Sequence, residues 1–253
     1  MNKISAIIIS YNEEKNIERC LESIIDVADE IIVLDSFSTD KTEEICRKHN
    51  VRFEQHIFDG HIEQKNRVMN MASNDYVLSL DADEFLSNEL KNSILKAKEN
   101  LSFDAYSFNR LNFFCGKEIK HGGWYPDKKI RLWNKNKGKW GGKNPHDKVI
   151  FNKDAIRTHL KGDLKHFSFH SIKQHVDQIN KFSSIKAEND FKAKKRGSFF
   201  KIIFKPNFKF FKIYFLKLGF LDGFYGLVIA LNSAHSEFLR QVKLKELNKN
   251  NVS

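Results

Sequence analysis

Little in this chain breaks or cross-links it. There are three prolines and three cysteines in 253 residues. The scarcity of proline, beside abundant Lys, Asn, Ile and Phe, reflects genomic base bias and not function. Cys20, Cys46 and Cys115 form no CxxC pair, which argues against a disulfide framework or a cysteine zinc site and fits a reducing compartment. Cys20 and Cys46 fall on apolar positions of predicted helices, so core packing is their expected role. No stretch reaches the length of a transmembrane helix; the nearest, Leu218 to Leu231, is interrupted by Asp222. The apolar run Ile4 to Ile9 is too short for a signal-peptide core, and Glu13 and Glu14 follow it. The expectation is a cytoplasmic chain that touches a membrane without crossing it. No G-x-G-x-x-G follows the first strand and no P-loop occurs, which argues against a dinucleotide fold. Acids are missing altogether from Phe191 to Leu221.

What is present is positive charge and apolar bulk. Lys and Arg number 43 against 32 Asp and Glu, a net charge of +11. Such a balance suits nucleic acid, anionic lipid or phosphorylated substrates. Hydrophobic residues make up 41%, enough for a sizeable core in one large domain or a domain plus an extension.

The first part alternates apolar runs with amphipathic ones. Ile4 to Ser10 reads as a strand buried on both faces. Ile17, Cys20, Leu21 and Ile24 follow at helical spacing. Ile31 to Asp35 is a second strand, and Asp40 with Glu43 looks like a capping box for a helix through Lys48. Val51 to Glu54 is a third strand, and a helix spans about Glu63 to Ala72. Tyr76 to Leu80 is a strand that stops at Asp81-Ala82-Asp83-Glu84. Asp81 and Asp83 leave the strand end on one side. Paired carboxylates there suit Mg²⁺ or Mn²⁺ on substrate phosphates; the plainer alternative is a polar loop capping the next helix. The alternation is that of an open α/β sheet, in which ligands bind beyond the carboxyl ends of strands. Asp35, Asp81 and the turn Tyr11-Asn12-Glu13 all fall on that edge.

Ser10-Tyr11-Asn12-Glu13-Glu14, then Val33-Leu34-Asp35-Ser36-Phe37-Ser38-Thr39-Asp40, then Leu80-Asp81-Ala82-Asp83-Glu84 resembles the family-2 glycosyltransferases of the GT-A fold. Phe37 stands where the family's loop has glycine, altering loop shape but removing no ligand. The resemblance implies a Rossmann-like nucleotide-binding half with a mixed sheet, residues 1–87, an acceptor half, 88–170, and a helical extension, 171–253. It implies that Tyr11, Asn12 and Glu13 line the base pocket and that Asp35 bonds base or ribose. Asp81 contacts ribose or metal-bound water, and Asp83 ligates the metal on the pyrophosphate. Lys65 meets diphosphate charge; otherwise it is a solvated lysine.

In the second half, Asp104 to Phe114 alternates as an antiparallel strand, and Lys129 to Trp133 is another. Trp124, Tyr125, Trp133 and Trp140 are either core or flat faces for a sugar ring. Trp124, Tyr125 and Arg131 are the acceptor contacts that the resemblance implies. Asn144-Pro145-His146-Asp147 is similar to the Val-His-Glu motif of enzymes that add glucose to the lipopolysaccharide inner core. Asp147 is then the base that takes the acceptor proton, with His146 as the alternative base; a turn led by Pro145, with Asp147 at a strand start, is the bland reading. His159, His166, His170 and His175 show no metal spacing and are expected to be structural or surface residues.

The last third is helical, opening on Ser171 with Gln174 as a capping box. Lys201, Lys205, Lys209 and Lys212 interleave with Phe200, Phe204, Phe208 and Phe211. This pattern suits an anionic membrane interface, single-stranded nucleic acid, or simple packing on the domain. The membrane is preferred, because the segment lacks an RNA-binding fold signature. Leu218 to Leu227 also resembles the tail of the lipopolysaccharide-core branch. The resemblance therefore implies an inverting, metal-dependent transferase that takes glucose from UDP-glucose to a lipid-linked inner-core heptose, peripheral on the inner face of the bacterial inner membrane. The rivals are a transferase for capsule or another surface polysaccharide, a silent homologue that only binds donor, and a basic nucleic-acid-binding protein.

Overall fold

The structure is a computed structural model. It describes residues 2–143 and 146–250; the side chains of Lys143 and His146, and the turn expected at Asn144-Pro145, lie outside the described residues. The chain forms two compact units, residues 1–110 with 127–166, and residues 111–126 with 167–253.

In chain order the elements are β1 Ile4–Ser10, α1 Ile17–Ile24, β2 Glu30–Asp35, α2 Thr42–Lys48, β3 Arg52–Gln55, α3 His61–Met71, β4 Tyr76–Asp81, β5 Glu84–Leu86, α4 Asn88–Glu99, β6 Ala105–Phe114, β7 Lys117–Ile119, β8 Asp127–Asn134, β9 Gly138–Lys143, β10 His146–Phe151, β11 Arg157–Phe169, α5 Ile172–Lys192, α6 Phe199–Phe211 and α7 Gly223–Asn250. The expected α/β frame is present. The main sheet runs β3-β2-β1-β4-β8-β6-β11-β5, with β9 and β10 as a separate hairpin among the described residues. Strands β3, β2, β1 and β4 are parallel; β8 joins β4 antiparallel, making the sheet mixed.

The continuous apolar run of β1 is explained by burial on both faces. Ile4, Ala6 and Ile8 enter a core with Leu21 and Ile24 of α1 and Leu90 and Ile94 of α4. Ile7 points into the other layer, with Val68 and Met69 of α3, Trp133 and Trp140. Each fully buried aliphatic side chain contributes roughly 1.5–3 kcal/mol, so the strands are fixed in register by both layers. Cys20 and Cys46 are buried in the first core, as expected.

Register builds the functional edge. Ser10 lies opposite Asp35, and Ile9 opposite Asp81. The carboxyl ends of β1, β2 and β4 therefore finish side by side.

The start of α2 corrects one expectation. Asp40 accepts from the Thr42 amide at 3.0 Å and the Thr42 hydroxyl at 2.5 Å. Glu43 does not reach back to close a box; it pairs with Arg47 one turn on. At α5, the Ser171 hydroxyl accepts from the Gln174 amide at 3.1 Å, and the Gln174 carbonyl accepts from His170 N–H.

In the second unit, Phe114, Phe169 and Ile229 form a small core with Trp124 and Tyr225 against it. His175 is buried there, and its imidazole is pushed down to about 4 by burial. Asp222, buried, accepts from the amides of Lys120 and His121 at 3.2 and 2.8 Å, which ties the Lys117–His121 ribbon to the start of α7. Between α6 and α7 the chain turns through Lys212–Leu216 and Gly219–Asp222. A Cβ on Gly226 would stand 1.9 Å from the Gly219 carbonyl oxygen, so this close approach needs glycine.

Candidate active site

A cleft of about 400 Å³ opens at the carboxyl edge of the first unit. Its wall includes Tyr11, Glu13, Lys65, Asp81, Asp83, Asp147 and His166. Residues from β1, α3, β4, β10 and β11 thus meet at one place.

The first loop is held shut by two of the expected donor residues. Asp35 is fully buried; its oxygens accept from the Ser10 hydroxyl at 2.8 Å, the Ser38 amide at 2.7 Å and the Ser38 hydroxyl at 2.5 Å. Asn12, at φ 54°, accepts from the Thr39 amide at 2.8 Å, while its own amide donates to the Ser38 hydroxyl. Asp35 and Asn12 therefore shape the loop that borders the cleft and do not line the cleft itself. Phe37 takes φ 61°, the left-handed conformation that a glycine adopts without cost, and stays half exposed. Tyr11 is 59% exposed, a free ring at the rim.

Beneath the acids lies a lattice of buried charge. Lys65 is buried and bridges Asp81 and Asp147 at 2.9 Å each. It is not a solvated lysine: it stands in the cleft wall, held between the two carboxylates. Its ammonium lies 4.5 Å from the Trp140 ring centre, and the Arg131 guanidinium lies 5.5 Å from it. Arg131 donates to Asp81 at 3.0 Å and to both oxygens of Glu84 at 3.0 and 2.8 Å. Glu84 has no exposed surface. Burial alone pushes the Asp81 carboxyl up, but Lys65 and then Arg131 hold it far below the usual carboxylate range. The same contest, decided by Arg131, keeps Glu84 ionised.

Arg131 is therefore committed beneath the acids, a different post from the acceptor contact expected of it. Trp133 and Trp140 pack edge to face in the core, ring centres 5.6 Å apart. Trp124 packs against Phe114, Phe169 and His175 within the second unit, and Tyr125 precedes Pro126 in the same unit. Trp133 and Trp140 are thus core residues of the first unit.

His166 corrects a further expectation. Its Nε2 stands 3.2 Å from an Asp83 oxygen, in the cleft wall. Strand β11 delivers it by pairing opposite Glu84 of β5. Nothing local in the sequence marks this residue; only the register of two distant strands does. Glu13 is the other titratable group of note. Burial first, and then the charges of Asp83, Asp40 and Asp81, push its carboxyl up to about 7, against one opposing hydrogen bond from Asn16. The site carries surplus negative charge around Asp83 and Glu13.

Among the described residues no three His, Cys, Asp or Glu side chains gather as a complete metal cage. Asp83 and His166 do present one carboxylate oxygen and one imidazole nitrogen together, a pair that Mn²⁺ accepts well. Mg²⁺ likewise uses one or two carboxylates when phosphates and water supply the rest.

Residues 5–159 match the family described as Glycosyl transferase family 2. A glycosyltransferase of Rickettsia typhi is 35% identical over 98% of this chain and 88% of its own length. The lipopolysaccharide core biosynthesis glycosyltransferase LpsC of Rhizobium meliloti is 26% identical over 95% of this chain and 91% of its own. Among solved structures, glucosyl-3-phosphoglycerate synthase from Mycobacterium tuberculosis, in complex with Mn²⁺, UDP and glucosyl-3-phosphoglycerate, is 26% identical with a TM-score of 0.36. That likeness covers 44% of each chain, so this chain spans less than half of that enzyme. The strand ends that finish side by side, the acid-lined cleft at that edge and a family match over more than half of the sequence agree: the chain belongs to glycosyltransferase family 2 and has its GT-A-like fold.

Proposed function

We propose that this chain transfers glucose from UDP-glucose to a heptose of the lipopolysaccharide inner core, with inversion at the anomeric carbon. The observation that carries the reading is the gathering of Asp81, Asp83, Asp147 and His166 in one cleft at the strand ends. The whole-length likeness to LpsC, a lipopolysaccharide core enzyme by its description, supports the choice of acceptor.

In this reading Tyr11 at the rim offers a face for the base, and Asp83 with His166 holds Mg²⁺ or Mn²⁺ against the donor diphosphate. The metal supplies Lewis-acid compensation for charge gathering on the leaving nucleoside diphosphate. Asp81, kept ionised by Lys65 and Arg131, orients the ribose side of the donor. Asp147 accepts the proton of the attacking hydroxyl, and Lys65, 2.9 Å away, holds that carboxylate in place. The hydroxyl oxygen forms the new bond to the anomeric carbon as the bond to the diphosphate oxygen breaks. No covalent enzyme intermediate is required.

The chain works on the cytoplasmic face of the inner membrane, where a basic surface meets anionic lipid and phosphorylated acceptor. The test is product formation from UDP-glucose and an inner-core oligosaccharide with Mn²⁺, read by NMR of the new anomeric centre. A β-glucosyl heptose is expected from the α-linked donor. An α-linked product, or transfer to other surface polysaccharides only, overturns the assignment.

A further inference from the structure

The second unit carries a groove of about 870 Å³, larger than the acid-lined cleft of the first. Its walls are of two kinds. Trp124, Phe204, Phe208 and Ile213 make it apolar; Lys205, Lys209, Lys212, Lys217 and Arg240 make it basic. Among the described residues, none of those four lysines has a carboxylate within salt-bridge distance. Arg240 is already paired with Asp190 and Glu237, and Glu237 also accepts from Gln241 at 2.8 Å. Burial pushes the Lys209 ammonium below its ordinary value; Glu237 opposes this, and Lys186 and Arg240 add to it. The groove is therefore a cluster of cations short of anions, backed by hydrocarbon.

Its entrance is shaped to keep it open. The Gly122 amide donates to the Lys217 carbonyl at 2.8 Å. Gly123, at φ +81°, has no side chain, and a Cβ there would stand 2.3 Å from the Lys217 ammonium. That ammonium thus lies across bare backbone at the groove wall.

Beside the groove, α6 carries two parallel stripes. Phe200, Phe204 and Phe208 recur every fourth residue, and Lys201, Lys205 and Lys209 recur one position behind them. The rings are 72%, 65% and 63% exposed. The exposed face continues through Leu216, Leu218, Phe220, Leu221 and Phe224 at the turn into α7. An apolar patch of this extent marks an interaction site. Its three leucines have no use in stacking bases, whereas an acyl layer covers leucine and phenylalanine alike. No single helix among the described residues is long and apolar enough to cross a membrane, and the α6 and α7 segments bend by 71°. Such a surface fits the plane of an interface.

We propose that this groove is a discrete binding site for one anionic glycerophospholipid, with its phosphate met by Lys209, Lys212 and Lys217 and its chains lying on Phe204, Phe208 and Ile213. The site goes beyond the sugar-transfer reading and stands or falls without it. It makes lipid a stoichiometric ligand of the chain, distinct from diffuse attraction of a basic protein to a charged bilayer.

The test uses the full chain and dihexanoyl phosphatidylglycerol below its micelle concentration, titrated calorimetrically. Saturable one-to-one binding is expected. Removing a lysine near an anionic lipid surface weakens binding about fivefold, so Lys209→Gln with Lys212→Gln lowers affinity about 25-fold. Lys212→Gln with Lys217→Gln, both exposed positions, does the same if the first pair fails to fold. Lys181→Gln with Lys192→Gln, both exposed and on α5 outside the groove, removes equal charge and leaves affinity unchanged. Equal losses from the inner and outer pairs would mean diffuse attraction and overturn the proposal. So would dihexanoyl phosphatidylcholine binding as tightly, inorganic phosphate displacing the lipid at equal concentration, or a single-stranded oligonucleotide occupying the groove in its place. UDP binding by the same variants is unaffected in every case, which keeps this result separate from the donor-site reading.

Discussion

Glu13 sits where burial and charge both oppose its ionisation. Unfolded, its carboxyl titrates near the ordinary 4.5; folded, at about 7. Between these values the folded chain keeps a proton that the unfolded chain has lost. Its contribution to stability is thus fully present below the lower value and is lost as pH rises through the upper one. The melting temperature of Glu13→Gln should therefore fall less between about pH 5 and about pH 8 than that of the parent; identical slopes would remove Glu13 from the account. Phe37 offers a second check. Its left-handed backbone costs about 1–2 kcal/mol, and glycine's extra freedom when unfolded returns part of that. Phe37→Gly should raise unfolding free energy by about 0.5–1 kcal/mol in denaturant titration. At Asp147, loss of the carboxylate should lower kcat by about 10²–10⁴ while UDP binding is kept. Unchanged turnover in Asp147→Asn, with loss in His146→Ala, would move the base to His146. The placing of Asp81 and Asp83 at the cleft edge was readable from the sequence because a buried strand ends on them. His166 was not, because its meeting with Asp83 depends on β11 pairing with β5, far away in the chain. Arg131 was misplaced for a related reason: a charged residue in a strand gives no sign of which buried acid it will meet.

The parallel strands were the most legible elements. β1, β2 and β4 are unbroken apolar runs, and burial on both faces is what writes such runs. Strands β9 and β11 were missed, and β10 was read only as the strand start at Asp147. β9 is mostly glycine and lysine around one tryptophan, and β11 alternates burial weakly and carries Gly162 in its middle. Their strand character comes from partners and not from composition. The corner between β4 and β5 is where elements become a site. Arg131 of β8 clamps it by holding Glu84 and Asp81 together. Arg131→Met should destabilise the fold by about 3 kcal/mol, since it leaves the fully buried Glu84 carboxylate with only a longer contact to Arg110, at 3.5 Å, and the Asp81 amide. Arg131→Met with Glu84→Met should recover much of that loss. A double variant no more stable than the single would show that the clamp is not electrostatic. In the second unit, Gly226→Ala should cost about 1–3 kcal/mol or more, because its methyl meets the Gly219 carbonyl with no side chain to yield.

At the scale of the molecule, the first unit carries a cleft lined by acids and the second a groove lined by lysines and aromatics. A negative cleft that holds a diphosphate needs a cation, and a positive groove needs an anion. Each surface thus lacks a counter-charge that a ligand would bring. The basic, acid-free segment was plain in the sequence, but its division into a ring stripe and a lysine stripe beside a groove required the helix and its neighbours. The cleft at the ends of β1 and β4 should bind nucleoside diphosphate through Asp83 and His166. The deciding measurement is calorimetric titration of UDP in the presence of Mn²⁺, with the parent chain and with Asp83→Ala. One-to-one binding is expected that requires Mn²⁺ and disappears in Asp83→Ala while the melting profile without ligand is retained. UDP binding of equal strength in the two chains, or none in either, would contradict it.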